Sequence, residues 1–229
     1  TATTSGYKAL GGTILRFSVP LMLTNLLQLL YNTADAVVVG RVAGSNALAA
    51  VGSTSSIIIL LVTLFCGISV GTNYLVARYY GADDHKAIFE TVHCAAFLSL
   101  ILGVAAGVVG YLLSTPILRL TNTPADIQDL AATYLRIYFL GVPALVVFNF
   151  GAAILRAVGE TRYPLLIMIV AGTLNVGLNL ILVIYVHLGV AGVAIATSFS
   201  QFVSAVMVTL RLIRTRESYR LIPKSIRFY

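Results

Sequence analysis

The chain alternates long apolar runs with short segments that carry charged or turn-forming residues. Six runs contain few charges, and a helix of about 20 apolar residues is long enough to cross the hydrocarbon core of a bilayer. We therefore predict an all-α membrane protein with six transmembrane helices. The predicted spans are residues 14–40, 48–79, 88–113, 127–155, 163–186 and 190–213.

The first span contains a carboxylate. An acid at membrane depth costs about 2.5–3.5 kcal/mol on insertion scales, so Asp35 is expected to face a protein interior or a water-filled cavity. Asn25, Gln28 and Asn32 lie on the same face of the helix, since about 100° separates successive residues. This polar stripe predicts the wall of a cavity. The alternative is a buried acid that only hydrogen-bonds to a neighbouring helix.

The fifth and sixth spans also carry polar residues at membrane depth. Asn175 and Asn179 lie one turn apart on the fifth span, and Thr197 lies on the sixth. Only residues 187–189 link the two spans, so the helices are predicted to be antiparallel neighbours. Asn179 and Thr197 each lie about eight residues from this link, which places both at roughly the depth of Asp35.

These side chains supply one carboxylate, two amide oxygens and a hydroxyl. Hard cations prefer oxygen ligands, so the set suits a single Na⁺ ion or a proton held on the acid. Interhelical hydrogen bonds, worth about 1 kcal/mol per pair in membranes, explain the same residues equally well. The predicted cation or proton site is Asp35, Asn175, Asn179 and Thr197, with Asp35, Asn175 and Thr197 as the ligands of a bound Na⁺.

Other polar and aromatic residues are candidates for a substrate cavity. Tyr134, Tyr138 and Asn149 share one face of the fourth span, where two rings and an amide suit a cationic or aromatic guest. Helix packing explains this stripe about as well. The complete set of cavity candidates is Gln28, Asn32, Tyr134, Tyr138, Asn149 and Gln201.

The composition agrees with a membrane protein. The 229 residues are 59% hydrophobic and only 10% charged, whereas soluble domains carry about 25% charged residues. The net charge is +7, and six of the fifteen basic residues lie near the C-terminal end. This distribution is explained better by membrane topology or by binding to anionic lipid headgroups than by binding to nucleic acid. The basic residues there are Arg211, Arg214, Arg216, Arg220, Lys224 and Arg227. We predict a transmembrane lobe at residues 1–213 and a basic cytoplasmic linker at residues 214–229.

The remaining basic residues predict the orientation. An even number of spans places both termini on one side, and the positive-inside rule places that side in the cytoplasm. Twelve basic residues then lie inside and three, Arg41, Arg119 and Arg136, lie outside. The inner ones are Lys8, Arg16, Arg78, Lys86, Arg156, Arg162 and the six near the C-terminal end. This predicts a multi-pass protein of the plasma (inner) membrane, with Asp35 about 28 Å of helix beyond Arg16, in the outer half.

Other residue types give weaker signals. Cys66 and Cys94 lie in apolar runs without metal-ligand or redox spacing, so we interpret them as packing residues. Glu90 and His93 lie near the cytoplasmic rim and are expected to form an ordinary solvated pair rather than a proton relay. Asp35 has no second carboxylate at its depth, and no glycine-rich nucleotide motif occurs. We predict no cofactor and no enzymatic activity, with a membrane-embedded enzyme as a weak alternative.

Five stretches, in this order and at these spacings, resemble the multidrug and toxic compound extrusion (MATE) family, most closely its bacterial members. They are PLMLTNLLQLLYNTADAVVVGRVAGSNALAAVG, GTNYLVARYYGADD, ILRAVGETRYPLL, NVGLNLILV and GVAGVAIATSFSQ. The likeness runs along essentially the whole chain. It implies secondary active export of cationic or amphipathic compounds, driven by inward movement of H⁺ or Na⁺. It also implies a molecule of twelve helices in two six-helix lobes around a central cavity.

The resemblance also implies roles for particular residues. The family's first-helix acid falls on Asp35, its fifth-helix Asn on Asn175 and its sixth-helix Thr on Thr197. Many members carry a second acid where this chain has Asn179, so Asp35 alone would hold the cation or proton. Positions that line the cavity in some members match Gln28, Tyr134 and Asn149.

The implied partners are small-molecule substrates, the bilayer and a second six-helix lobe. That lobe would come from a longer chain, which we favour, or from a paired copy. The main functional alternative is a lipid-linked oligosaccharide flippase of the same broad superfamily. Such a protein would need several Arg or Lys in its cavity to hold pyrophosphate, and the predicted spans offer almost none in their interiors.

Overall fold

Six long helices make up the part of the chain that the structure describes, as the apolar runs predict. The computed structural model describes the backbone of residues 2–228 and the side chains of residues 10–228; the Lys8 side chain and the two terminal residues lie outside this part. The helices are α1 (Ala2–Val38), α2 (Ser45–Gly81), α3 (His85–Leu120), α4 (Gln128–Ala157), α5 (Arg162–Asn179) and α6 (Val190–Arg214). All six contain segments long and apolar enough to span a bilayer, and the part described contains no strand. The prediction of an all-α, six-span membrane protein is confirmed.

Two of the helices change geometry near one end. The chain continues from α1 as a π-helical segment, Val39–Ala43, and from α5 as another, Leu180–Tyr185. A π-helix closes its hydrogen bonds over one residue more than an α-helix does, and such segments often lie at functional sites. The first segment begins four residues after Asp35, and the second begins directly after Asn179.

The centre of the fold is α4. It packs against α2, α3 and α6, and its buried side chains include Leu135, Val142, Val146 and Leu155. A helix that is apolar on all sides is suited to such a position. By contrast, α1 lies at the edge, where α5 is its main neighbour.

Close contact between α3 and α4 depends on glycine. A Cβ atom on Gly103 would lie 2.8 Å from the Cα of Pro143, and one on Gly107 would lie 3.0 Å from the carbonyl oxygen of Phe139. On Gly110, a Cβ atom would overlap the ring of Phe139. Small residues at this spacing let two membrane helices approach closely.

The segment that follows α6 packs back onto the helices. Tyr219 and Leu221 are buried, and the backbone N–H of Ile222 donates to Nε2 of His93 at 3.0 Å. The other ring nitrogen of His93 lies 2.7 Å from the carbonyl oxygen of Phe89. His93 is fully buried, so the expectation of a solvated pair with Glu90 is wrong. A buried imidazole needs partners for both nitrogens, and this segment supplies one of them.

Candidate functional site

The carboxylate of α1 meets the amides of α5. The side-chain nitrogen of Asn179 donates to Oδ1 of Asp35. Asp35 is half-buried, whereas Asn179 is fully buried. The polar stripe on α1 therefore faces other helices at this position, and the acid is held by a donor from a different helix.

A chain of hydrogen bonds continues from this contact across α5 to α6. Asn179 Nδ2 also donates to Oδ1 of Asn175 at 3.2 Å. Asn175 Nδ2 donates to Oγ1 of Thr197 at 3.3 Å. The Thr197 hydroxyl donates to the carbonyl oxygen of Val193 at 3.0 Å. The structure thus brings together all four residues predicted for the cation or proton site, on three helices.

The hydrogen-bond partners within this network differ from the expected ones. Asn179 was expected to lie level with Thr197, but Thr197 pairs with Asn175, one turn further along the helix from the α5–α6 link. The residues between Asn179 and the link form the π-helical segment Leu180–Tyr185. A π-helix is wider and rises less per residue than an α-helix. Asn179 therefore lies nearer the end of the bundle than a count of residues at α-helical rise suggests.

One oxygen of the site lacks a partner. Oδ1 of Asn179 is buried and accepts no hydrogen bond from any described residue. A buried, unpaired amide oxygen costs free energy that a cation or an added donor can recover. With the Asp35 carboxylate, Oδ1 of Asn175 and the Thr197 hydroxyl, the available ligands are all oxygens, which fits Na⁺. Within the described residues, no cluster of three or more His, Cys, Asp or Glu side chains occurs.

A cavity of about 280 Å³ opens beside these residues. Its wall is formed by α1, α2, α4, α5 and α6 and includes Asp35, Asn175 and Thr197. Four of the predicted cavity residues also lie on this wall. They are Gln28, Asn32, Asn149 and Gln201. Polar groups from several helices therefore converge on one concave, largely apolar space, as in small-molecule sites generally.

The structure does not bring Tyr134 and Tyr138 to this wall. Both are buried, with 7% and 4% of their surface exposed, and their ring centroids lie 6.3 Å apart. Tyr134 packs among aliphatic residues that include Val39 and Val183. Because α4 occupies the centre of the bundle, most of its surface meets other helices and only part of it faces the cavity.

The sequence reasoning missed several residues of this wall, and two of them carry chemically distinctive side chains. Arg156 and Cys66 both line the cavity, although Arg156 was counted with the cytoplasmic charges and Cys66 was interpreted as a packing residue. A signal for Arg156 did exist. It follows Asn149 by seven residues, which is two helical turns, and therefore lies on the same face of α4.

Close packing positions α1 beside α5. A Cβ atom on Gly172 would overlap the ring of Tyr31. Tyr31 lies one turn before Asp35, and Gly172 lies three residues before Asn175. The absence of a side chain at position 172 therefore allows α1 to approach α5 at the site.

Comparisons with known proteins agree on one family. The MatE family model matches residues 20–181. The probable multidrug resistance protein YpnP of Bacillus subtilis is 31% identical over 92% of this chain, which covers 46% of that protein. The FAD transporter of Shewanella oneidensis is 27% identical over 85% of this chain and 44% of its own length. The chain thus spans about half the length of the curated relatives it matches.

A solved structure gives the same result for the fold. This is the outward-facing conformation of a multidrug resistance MATE family transporter of the MOP superfamily, with a TM-score of 0.85 and 30% sequence identity. The match covers 94% of this chain and 48% of that one. The six helices therefore correspond to about half of a solved transporter of this type.

Proposed function

The chain belongs to the MatE family, and from that premise we propose that it forms one lobe of a cation-coupled efflux transporter for amphipathic cationic compounds. The family is one of membrane transporters, not of enzymes. The observation that supports the proposal is the hydrogen-bond chain from Asp35 to Thr197 at the edge of the cavity. These hydrogen bonds connect an acid that can hold a cation or proton to α5 and α6, two of the helices that line the cavity.

Both termini are assigned to the cytoplasm in this proposal. Twelve of the fifteen basic residues then lie on the inner side. Asp35 lies in the outer half of the membrane, where it exchanges H⁺ or Na⁺ with the outside. The opposite end of the cavity lies toward the cytoplasm, from which substrate enters.

Occupancy of Asp35 changes the contacts of Asn179. A cation on the carboxylate competes with the Asn179 amide for Oδ1 of Asp35, and the amide can instead turn its unpaired oxygen toward the new charge. Asn179 also donates to Asn175, and Asn175 donates to Thr197. A change at the acid therefore alters hydrogen bonds on α5 and α6 as well as on α1.

Coupling requires that the ion prefer one shape of the cavity. An ion with equal affinity for two shapes shifts nothing, whereas each tenfold preference is worth about 1.4 kcal/mol. The bonds of Asn179 supply such a preference, since they join helices that must separate or slide if the cavity changes shape. The oxygen ligands are suited to both H⁺ and Na⁺. The transport assay below, with separate pH and Na⁺ gradients, identifies the coupling ion.

The test is transport by the reconstituted two-lobe unit, as extracted from its membrane, under a single imposed gradient. Proteoliposomes are loaded with ethidium, and a pH gradient or a Na⁺ gradient is imposed with the higher ion concentration outside. We expect ethidium efflux to accelerate under one of the two gradients and to slow when nigericin or a Na⁺ ionophore removes it. Efflux that is indifferent to both gradients would contradict the proposal.

The flippase alternative makes a different prediction in the same vesicles. It requires several cations around a pyrophosphate, and among the described residues that line this cavity Arg156 is the single Lys or Arg. A fluorescent lipid-linked pyrophosphate sugar should cross the bilayer without an ion gradient if the flippase assignment holds. We expect no protein-dependent crossing of that lipid.

A further inference from the structure

Arg156 is a cation on the wall of a cavity that is otherwise lined by uncharged residues and Asp35. Its side chain is half-buried, and it forms no hydrogen bond or ion pair with any described residue. A charge that is partly withdrawn from water without a partner loses hydration free energy that an anionic ligand can restore. Its neighbour Cys66 on the same wall supplies no carboxylate.

Glu160 forms an ion pair with Arg211 and not with Arg156. Glu160 lies four residues after Arg156, a spacing that favours an ion pair on a helix. However, α4 ends at Ala157, and Glu160 accepts from Nε of Arg211 at 2.9 Å. Arg211 also lies over the ring of Tyr163, 5.3 Å from its centroid. The acid that sequence spacing offers to Arg156 is thus already taken.

Asp35 and Arg156 lie at opposite ends of the cavity. Along α1, the wall runs from Thr24 to Asp35, eleven residues or about 16 Å of helix. Along α4, which runs in the opposite direction, it extends from Leu145 to Arg156, also eleven residues. Because α1 and α4 run in opposite directions, Arg156 and Thr24 lie toward the inner end of the cavity, and Asp35 and Leu145 lie toward the outer end.

We infer that this cavity binds compounds that carry a carboxylate or another anionic oxygen group, and that Arg156 binds this group. The inference rests on the proposed transport function and specifies the substrate class. A guanidinium binds a carboxylate or phosphate through two parallel hydrogen bonds, which a Lys cannot reproduce. Asp35 at the other end favours a cationic group, so the cavity binds amphipathic cations and binds those that also carry an anionic oxygen group more tightly.

The experiment compares two dyes that differ only in this acidic group. Rhodamine B carries a cationic chromophore and a free carboxylate, and its ethyl ester carries the same chromophore without the negative charge. Binding of each dye to the purified protein is measured by fluorescence anisotropy in dodecyl maltoside, which supplies no phosphate to compete. We expect the Arg156→Gln variant to bind rhodamine B at least about tenfold more weakly while its affinity for the ester stays within about twofold.

Two further variants complete the design. Arg156→Lys keeps the charge and should retain part of the affinity for rhodamine B. Arg162→Gln removes an exposed cation near the same end of the protein but outside this cavity, and should leave both dyes unaffected. Because both dyes are measured on the same sample, partial misfolding lowers both affinities and does not mimic the expected ratio.

Three results would overturn the inference. Equal weakening of both dyes by Arg156→Gln would mean that Arg156 has a structural role or a protein partner. Binding of the ester alone by the unmodified protein would show that the cavity takes simple cations, and the proposed transport function would then still stand. Binding of neither dye would remove the cavity as a drug site and the inference with it.

Discussion

Asn179 links the acid of α1 to the amide and hydroxyl on α5 and α6, and one of its own atoms is left without a partner. Its nitrogen serves both Asp35 and Asn175, whereas its oxygen is buried and unpaired among the described residues. An unsatisfied buried acceptor costs about 1–3 kcal/mol. Position 179 therefore favours any ligand that brings a positive charge or a donor to this point.

A second carboxylate at this position should strengthen cation binding. In Asn179→Asp, two negative charges lie side by side in a poorly solvated site, and a bound cation relieves their repulsion. We expect the affinity for Na⁺ to rise at least about tenfold, measured by calorimetric titration at fixed pH. Asn149→Asp is the matched control, since Asn149 lies on the same wall but donates to the Leu145 carbonyl instead. An equal rise in both variants would show that only the total charge of the cavity matters.

The four residues that the structure brings together could be singled out from the sequence, but their pairing could not. A polar residue at membrane depth is costly unless it is used, and this singled out Asp35, Asn175 and Thr197. The hydrogen-bond partner of each amide depends on the π-helical segment that follows α5. The apolar sequence of Leu180–Tyr185 does not predict that segment. Arg156 was missed because an arginine near a helix end is usually a loop charge, and its burial depends on how five helices pack.

At the scale of elements, the contact between α1 and α5 holds the site together. Tyr31 on α1 lies over Gly172 on α5, and its hydroxyl donates to the carbonyl oxygen of Ile169 at 3.5 Å. Both positions are within one turn of a site residue. A change in the spacing of these two helices should therefore alter the bond between Asp35 and Asn179.

Gly172→Ala should separate the two helices. The added methyl group has no space beside the Tyr31 ring, and overpacking of this kind costs about 1–3 kcal/mol. We expect a lower thermal unfolding temperature in detergent and weaker cation binding. Gly177→Ala on the same chain segment is the control, because nothing lies within 4 Å of a Cβ atom there. The double variant Gly172→Ala/Tyr31→Ala should recover stability, and failure to do so would argue against this contact as the cause.

The sequence predicted which residues share a helix face better than it predicted which neighbours that face contacts. The periodicity of α4 grouped Tyr134, Tyr138 and Asn149 correctly on one side of the helix. Only Asn149 reaches the cavity, because the other two lie where the central helix is enclosed by its neighbours. In the same way, His93 looked like a rim residue, yet the segment after α6 covers it. Long-range packing decides both cases.

At the scale of the whole molecule, the edge helix α1 leaves a polar stripe uncovered. Asn25, Gln28 and Asn32 are exposed on the open side of the cavity. Amides facing hydrocarbon would be left without hydrogen-bond partners, so this side must face protein or water in the membrane. The solved transporter is about twice as long as the part matched here, which agrees with a second lobe on this side.

The transport-competent unit should therefore contain a second set of six helices. We expect native mass spectrometry of the unit extracted from its membrane to give a polypeptide mass of about twice 24.4 kDa, in one longer chain or in a pair of chains. Tryptic fragments of the longer chain would distinguish the two arrangements. Transport by a unit of 24.4 kDa alone would contradict the two-lobe proposal.

The six spans and their order could be predicted because apolar length is a strong, local signal. The shape of the cavity could not, since it depends on which side of each helix meets which neighbour. The role that we propose for Asp35 depends on both, because it requires a charge at membrane depth and a cavity beside that charge.

The most direct measurement of this role is coupled transport by Asp35→Asn. The substitution keeps the size of the side chain and removes the carboxylate that we propose holds H⁺ or Na⁺. Asp129→Asn, which removes an exposed acid at the start of α4, is the control. The account predicts that gradient-driven ethidium efflux and ion uptake both fall to the level of empty liposomes in Asp35→Asn and stay normal in the control. Undiminished efflux and ion uptake in Asp35→Asn would contradict it.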